Sequence, residues 1–246
     1  MDEREYADTI LDGCLESGTL GMVGDGASPK KYLIGLEAIK KRGGLGIPIF
    51  KPREYNLDII KRFKAAEDAG AVAVGIDIDA ASFKTMTLKG QAVGPKTIAE
   101  LQELKSHLKV PFILKGIMNV ESALAAIEAG ADAIVVSNHG GRVMDHMPGT
   151  AEVLPGIANA VGGRVKVLVD GGIREGIDIL KMLALGADAV MIGRPVCIAA
   201  FGAGQEGVSF YLQEKLNELK KAMILTGCGS IGRIDPSIIF RKKGDR

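Results

Sequence analysis

The chain has 246 residues, 47% of them hydrophobic, and a formal net charge of +1. That length suits one domain with a sizeable core, and the near-neutral balance points away from nucleic acid or a membrane surface as partner. Three cysteines, Cys14, Cys197 and Cys228, are far apart and form no disulfide framework or metal spacing, so a reducing, cytoplasmic setting fits.

No apolar run reaches the roughly 18 residues of a membrane span, and the charged start, Met1 to Glu5, is no signal peptide. A His₃ zinc site would need His107, His139 and His146 together; His107 falls at a helix end, so no metal is expected. Residues 3–17 read as a helix with Tyr6, Ile10, Leu11 and Leu15 on one face. Leu20 to Val23 is a short strand, Lys31 to Lys41 a helix closed by Gly43 and Gly44, and Ile47 to Phe50 a strand with Pro48 placed at its start. Asn56 caps the next helix, with Leu57, Ile60 and Phe63 facing inward; Val72 to Ile76 is a strand ending in Asp77. The longest break is 80–96, read equally well as an active-site lid or a plain surface insertion.

Thr97 caps a helix to Leu108, Pro111 to Leu114 is a strand ending at Lys115 and Gly116, and Asn119 caps a helix over 120–129. Asp132 to Val136 is β-branched and unbroken, the mark of a strand buried on both faces. Helix 151–161, strand 165–169, helix 176–185, strand 189–192 and a helical stretch over about 206–225 complete the chain; the basic run Arg241 to Arg246 reads as a solvated tail. The helix-to-strand joint Ala-Gly-Ala recurs at Ala69, Ala129 and, as Leu-Gly-Ala, at Leu185, with a fainter copy at Ser17. Strand and helix alternating in this way predict parallel strands with right-handed crossovers. The expected fold is a single-domain TIM-type (β/α)8 barrel showing seven strands, the first one missing, because the opening helix has no strand before it.

In such a barrel the active site lies at the C-terminal ends of the strands. Ser137-Asn138-His139-Gly140-Gly141-Arg142 sits there and combines a base, close backbone approach and an anion clamp. Asp170-Gly171-Gly172-Ile173-Arg174 and Gly193-Arg194 end the last two strands, where glycine amides, helix N-termini and arginines bind phosphate. Lys115, at a strand end, reads as an anchored cation at the site mouth able to stabilise developing negative charge, against the alternative of an exposed loop lysine. Asp77 ends a strand and reads either as the carboxylate that holds an imidazole or as an ordinary helix cap.

Lys115-Gly116, Ser137 to Arg142 with Asp145, Leu154-Pro155, Asp170 to Arg174 with Lys181, Ala184 to Ala187, Gly193 to Pro195 and Ala222 to Cys228 resemble the FMN-dependent 2-hydroxy acid oxidases and dehydrogenases over nearly all of 109–235. That resemblance implies a TIM barrel holding FMN and oxidation of a small (S)-2-hydroxy acid such as lactate or glycolate. It implies His139 as base, Arg142 as carboxylate clamp, Lys115 beside the flavin pyrimidine, and Asp77 paired to the base. Ser137, Asp170, Gly171, Gly172, Arg174, Gly193 and Arg194, with Lys115, are implied as the FMN-binding set.

The chain departs from the family pattern at several places. The opening strand and the segment upstream of it are not seen, Phe50-Lys51-Pro52 replaces a Gln and a Tyr, and Gly75 stands where a flavin-contacting Thr is usual. Lys84 falls where the family has a second carboxylate-binding Arg. Two other readings remain: another FMN barrel such as a flavin-dependent isopentenyl diphosphate isomerase, or a truncated, non-catalytic flavin-binding barrel. An open barrel leaves strand edges unpaired, so a homo-oligomer is expected.

Overall fold

The computed structural model describes residues 1–28 and 30–240; the basic run from Arg241 lies outside the described residues. Seven strands, all parallel, form one curled sheet in sequence order: β1 (Met22–Gly24), β2 (Ile47–Phe50), β3 (Val74–Asp77), β4 (Phe112–Ile117), β5 (Ala133–Val136), β6 (Lys166–Val169) and β7 (Ala189–Val190). Among the described residues no strand lies between β7 and β1. The fold is the seven-stranded part of a TIM-type barrel.

Helices follow the strands and cover the outer face. α1 (Glu3–Glu16) precedes β1 and packs on α9 (Arg194–Leu225), which breaks at Ala203 and Gly204, where φ and ψ leave the helical region. α2 (Lys31–Lys41) matches the expected span. In α3 (Asn56–Asp68) the buried face is Ile59, Phe63 and Ala66, while Leu57 is exposed. Asn56 does not cap that helix: its amide donates to the Glu100 carbonyl and to Glu103 Oε2. α4 (Lys84–Thr87) is a single turn, and α5 (Ile98–Ser106) opens with a capping box between Thr97 and Glu100. α6 (Val120–Glu128) is capped by Asn119, and α7 (Thr150–Val161) and α8 (Gly176–Ala184) follow β5 and β6. The C-terminal helix begins at Arg194, earlier than the sequence pattern indicates, with only Met191 to Gly193 between it and β7.

Pro48 lies inside β2, between β1 and β3, rather than at the start. Ile47 and Ile49 exchange bonds with the β1 side, through Ile47 N to Gly21 O and Asp25 N to Ile49 O. Alternation turns the missing N–H of Pro48 toward β3, where pairing begins only at Ile49.

The apolar runs are unbroken because both strand faces are buried. Ile47, Ile49, Ala73, Ile113, Ala133 and Val135 fill the barrel interior with Met22, Leu168 and Met191 packed against them. Phe50, Phe63, Ile76, Phe112, Ile134 and Ile157 pack between sheet and helices. Side chains alternate along a strand, so the residue two places beyond each last inward-facing position also points inward. Those residues are Lys51 after Ile49, Asp77 after Gly75, Lys115 after Ile113, Ser137 after Val135 and Asp170 after Leu168. One polar layer therefore caps the apolar interior at the C-terminal edge.

Candidate active site

Lys115 is the hub of that layer. Its Nζ donates to Ser137 Oγ at 2.9 Å and lies 3.4 Å from Asp77 Oδ1 and 3.3 Å from Asp170 Oδ2. Burial works against its charge, but Asp77, Asp170 and Asp79 outweigh burial and hold its pKa above the usual lysine value. Ser137 Oγ also accepts the His139 backbone N–H at 3.1 Å. That bond steadies an L-residue held at φ 57, a left-handed conformation costing about 1–2 kcal/mol.

Asp77 is not the partner of the imidazole. His139 Nδ1 lies 3.1 Å from both carboxylate oxygens of Asp79. Asp77 Oδ2 instead accepts from Lys51 Nζ at 2.7 Å. The strand ends at Asp77, and a 3-10 turn over Ile78–Ala80 swings Asp79 toward the loop after β5. Gly116 makes room for it: at φ 104, a Cβ there would stand 2.6 Å from Asp79 Cβ and Cγ. An ionised Asp79 favours the proton on Nδ1 and leaves Nε2 as the basic nitrogen. For Asp77, burial opposes the charge, but Lys51, Lys115 and His139 prevail and lower its pKa below the ordinary carboxylate value.

One ligand atom each from Asp77, Asp79 and His139 lie within 4.8 Å of one another. Two ammonium groups already match Asp77, so the trio suits proton handling better than cation binding.

On the far side of Lys115, Asp170 Oδ1 is a buried acceptor with no hydrogen-bond donor. Arg194 bridges two loops by donating from Nη2 to Gly140 O at 2.7 Å. Gly140 permits this approach, since a Cβ would stand 2.7 Å from that same Nη2. A cavity of about 460 Å³ opens here, lined among others by Asn138, Gly140, Thr150, Gly172, Lys181 and Arg194. Gly172 and Gly193 are exposed, and a Cβ on either would meet nothing within 4 Å. Arg174 is exposed and donates to the carbonyl of Ile173 in its own loop. Arg142 is exposed near the ring of Phe83, 5.5 Å from guanidinium carbon to centroid.

The structure thus brings Lys115, Ser137, His139, Asp77 and Asp170 together, with Arg142, Gly171, Gly172, Gly193 and Arg194 around the rim; Arg174 stays on its own loop. Lys51, Asp79 and Phe83 join them without having been singled out from the sequence as site residues. Strand parity was the available signal for Lys51; Asp79 and Phe83 arrive through turns, which parity does not describe.

The stretch 80–96 is fastened rather than free. Arg53 Nη1 donates to Gln91 Oε1 at 2.7 Å, Gly94 N to Pro52 O at 3.0 Å and Glu54 N to Ala92 O at 3.2 Å, and Met86 is buried. Arg53 is in turn held by Asp25 at the end of β1, at 2.6 Å. Among the described residues no helix is long and apolar enough to cross a membrane.

Residues 79–241 match the model of a family described as FMN-dependent dehydrogenase. A peroxisomal (S)-2-hydroxyacid oxidase of Arabidopsis thaliana is 34% identical over 221 residues, covering 76% of this chain and 60% of that protein. An L-lactate oxidase of Lactobacillus jensenii is 42% identical over 202 residues, covering 79% of this chain and 49% of that protein. The chain therefore spans about half to three fifths of the length of these curated relatives. A crystal structure of a mandelate oxidase with benzoyl-formic acid superposes with a TM-score of 0.80 at 35% identity, over 94% of this chain and 72% of that one. With a curled barrel sheet, the glycine loops and the family model all in agreement, the chain belongs to the FMN-dependent dehydrogenase family.

Proposed function

We propose that the chain oxidises a small (S)-2-hydroxy acid of the lactate or glycolate kind to the 2-oxo acid, with FMN as its cofactor. The observation that carries this reading is the His139–Asp79 pair set beside the Lys115 hub, with Arg142 on the same loop.

The residues present fit FMN. Asp170 Oδ1 lacks a donor, which a ribityl hydroxyl supplies. The exposed glycines Gly172 and Gly193 and the guanidinium of Arg194 suit a phosphate, with Gly171 and Arg174 on the same loops. Lys115, held by Ser137, lies beside Asp170 in the same polar layer. When bound, FMN supplies the two-electron acceptor for the alcohol.

Arg142 holds the substrate carboxylate, which fixes the α-carbon against the base. His139 takes the proton of the carbinol group on Nε2, and Asp79 stabilises the imidazolium that results. Lys115 stabilises negative charge that develops as the alcohol is oxidised. Asp77 keeps the two lysines paired inside the barrel.

The edges of β1 and β7, which pair with no further strand among the described residues, favour self-association, and the free cysteines fit a cytoplasmic setting. The test is the visible spectrum of the protein after FMN addition and desalting, then after anaerobic lactate or glycolate. Flavin bands should persist and then bleach. His139→Ala should abolish the bleaching and leave flavin bound; bleaching at the unaltered rate in that variant overturns the assignment of the base.

A further inference from the structure

We propose that Phe83 is a specificity-determining wall of this site, its ring filling the space that a bulky substrate side chain would need, so that small 2-hydroxy acids are selected. The proposal rests on the reading of His139 and Arg142 just given.

Phe83 lies between the 3-10 turn at Ile78–Ala80 and α4, with extended backbone. Its ring centroid is 4.8 Å from that of the His139 imidazole, in an edge-on arrangement. The Arg142 guanidinium carbon lies 5.5 Å from the same centroid and Lys51 Nζ lies 5.0 Å from it. These separations are contact distances for aromatic and cation–π pairs. A 2-hydroxy acid has its carboxylate and its carbinol on adjacent carbons. One molecule that bridges Arg142 and His139 spans two groups that both contact the Phe83 ring, which sets the ring beside it. The fourth substituent of the α-carbon then meets Phe83 or has to avoid it.

The ring is a wall rather than a gate because its loop is fastened. Three residues on, Met86 is 1% exposed and locked into the core, and beyond it Gln91, Ala92 and Gly94 are bonded to Arg53, Glu54 and Pro52. Ala80 and Met86, both buried, fix the backbone on either side of Phe83. Phe83 does not line the cavity by Gly172 and Arg194, which is the space assigned above to FMN.

The test compares wild type, Phe83→Ala and Phe83→Leu, each loaded with FMN, on (S)-lactate and (S)-mandelate. Calorimetric titration with pyruvate and benzoylformate gives binding without turnover. The wild type should prefer lactate, and Phe83→Ala should raise the mandelate-to-lactate ratio of kcat/KM, and the benzoylformate-to-pyruvate affinity ratio, by tenfold or more. Phe83→Leu should fall between the two and serves if the alanine variant unfolds. Ratios within twofold of wild type in both variants, or a wild type that already prefers mandelate, overturn the proposal. Arg142→Ala separates this from failure of the underlying reading. Loss of affinity for both oxo acids in Arg142→Ala, with ratios unmoved by Phe83 substitution, removes the wall alone. Unchanged affinity in Arg142→Ala, or no binding of either acid by the wild type, removes the site reading and the wall with it.

Discussion

Asp79→Asn is the sharpest probe of the proposed chemistry, because the structure moves the partner of His139 from Asp77 to a residue two places on. The perturbation is almost isosteric. It removes a charge lying 3.1 Å from Nδ1 and replaces one acceptor oxygen by a donor nitrogen. A hydrogen bond to a charged group is worth about 1.5–3 kcal/mol, and about 1.4 kcal/mol is tenfold in rate. If the bond matters only once the imidazole is protonated in the transition state, flavin reduction should slow by roughly 10- to 150-fold. A flipped tautomer, with Nε2 protonated and unable to act as base, would make the loss larger. The assay is anaerobic stopped-flow reduction with lactate, together with FMN affinity and the imidazole ¹⁵N resonances that report the tautomer. The rate should fall with KM and FMN affinity little changed, and the Nδ1–H population should shrink. Asp77→Asn is the control, since its carboxylate faces Lys51 and Lys115. The reasoning is refuted if Asp77→Asn disturbs the His139 tautomer more than Asp79→Asn does.

Two further outcomes follow from the polar layer and the strand beneath it. The folded-state pKa of Asp77 is depressed, so its contribution to stability is fully present above the ordinary carboxylate pKa of about 3.9 and is lost as pH falls through the lower, folded value. Thermal melts of wild type and Asp77→Asn against pH should differ most above pH ~4 and converge below it; a constant gap down to strongly acid pH would contradict the ion-pair account. Restoring the Thr usual in the family at Gly75 should destabilise this chain. A Cβ there would stand 2.5 Å from Ile49 Cδ1 and 3.1 Å from the Ile113 carbonyl oxygen. Overpacking of this kind costs about 1–3 kcal/mol, and urea denaturation of Gly75→Thr should show a midpoint drop that Ile49→Val partly rescues.

Much of this was legible in the chain itself. The repeated helix-to-strand joint at Ala69, Ala129 and Leu185 predicts parallel order, and seven parallel strands are observed. Local capping chemistry is equally readable, as with Asn119 and the Thr97–Glu100 box, since those bonds span only a few residues. Leu57 shows the limit of reading periodicity: one wrong phase exposes a residue expected inside. Pro48 shows another, because its tolerance depends on which neighbour its missing N–H faces.

What the sequence by itself determined is the ordering of strands and the identity of the polar residues at their ends, because side-chain alternation and glycine turns are local properties. Lys115, Ser137, His139 and Asp170 could be placed at one edge on that basis. Only the tertiary structure decided the partners. Asp77 and Asp79 are both short carboxylates on one short stretch, and nothing local says which one meets an imidazole sixty residues away. That choice is made by Lys51, just beyond β2, which engages Asp77, and by Gly116 from β4, whose missing side chain admits Asp79. Pairing of buried charges minimises desolvation across the whole layer at once, and such a sum exists only once the strands stand side by side.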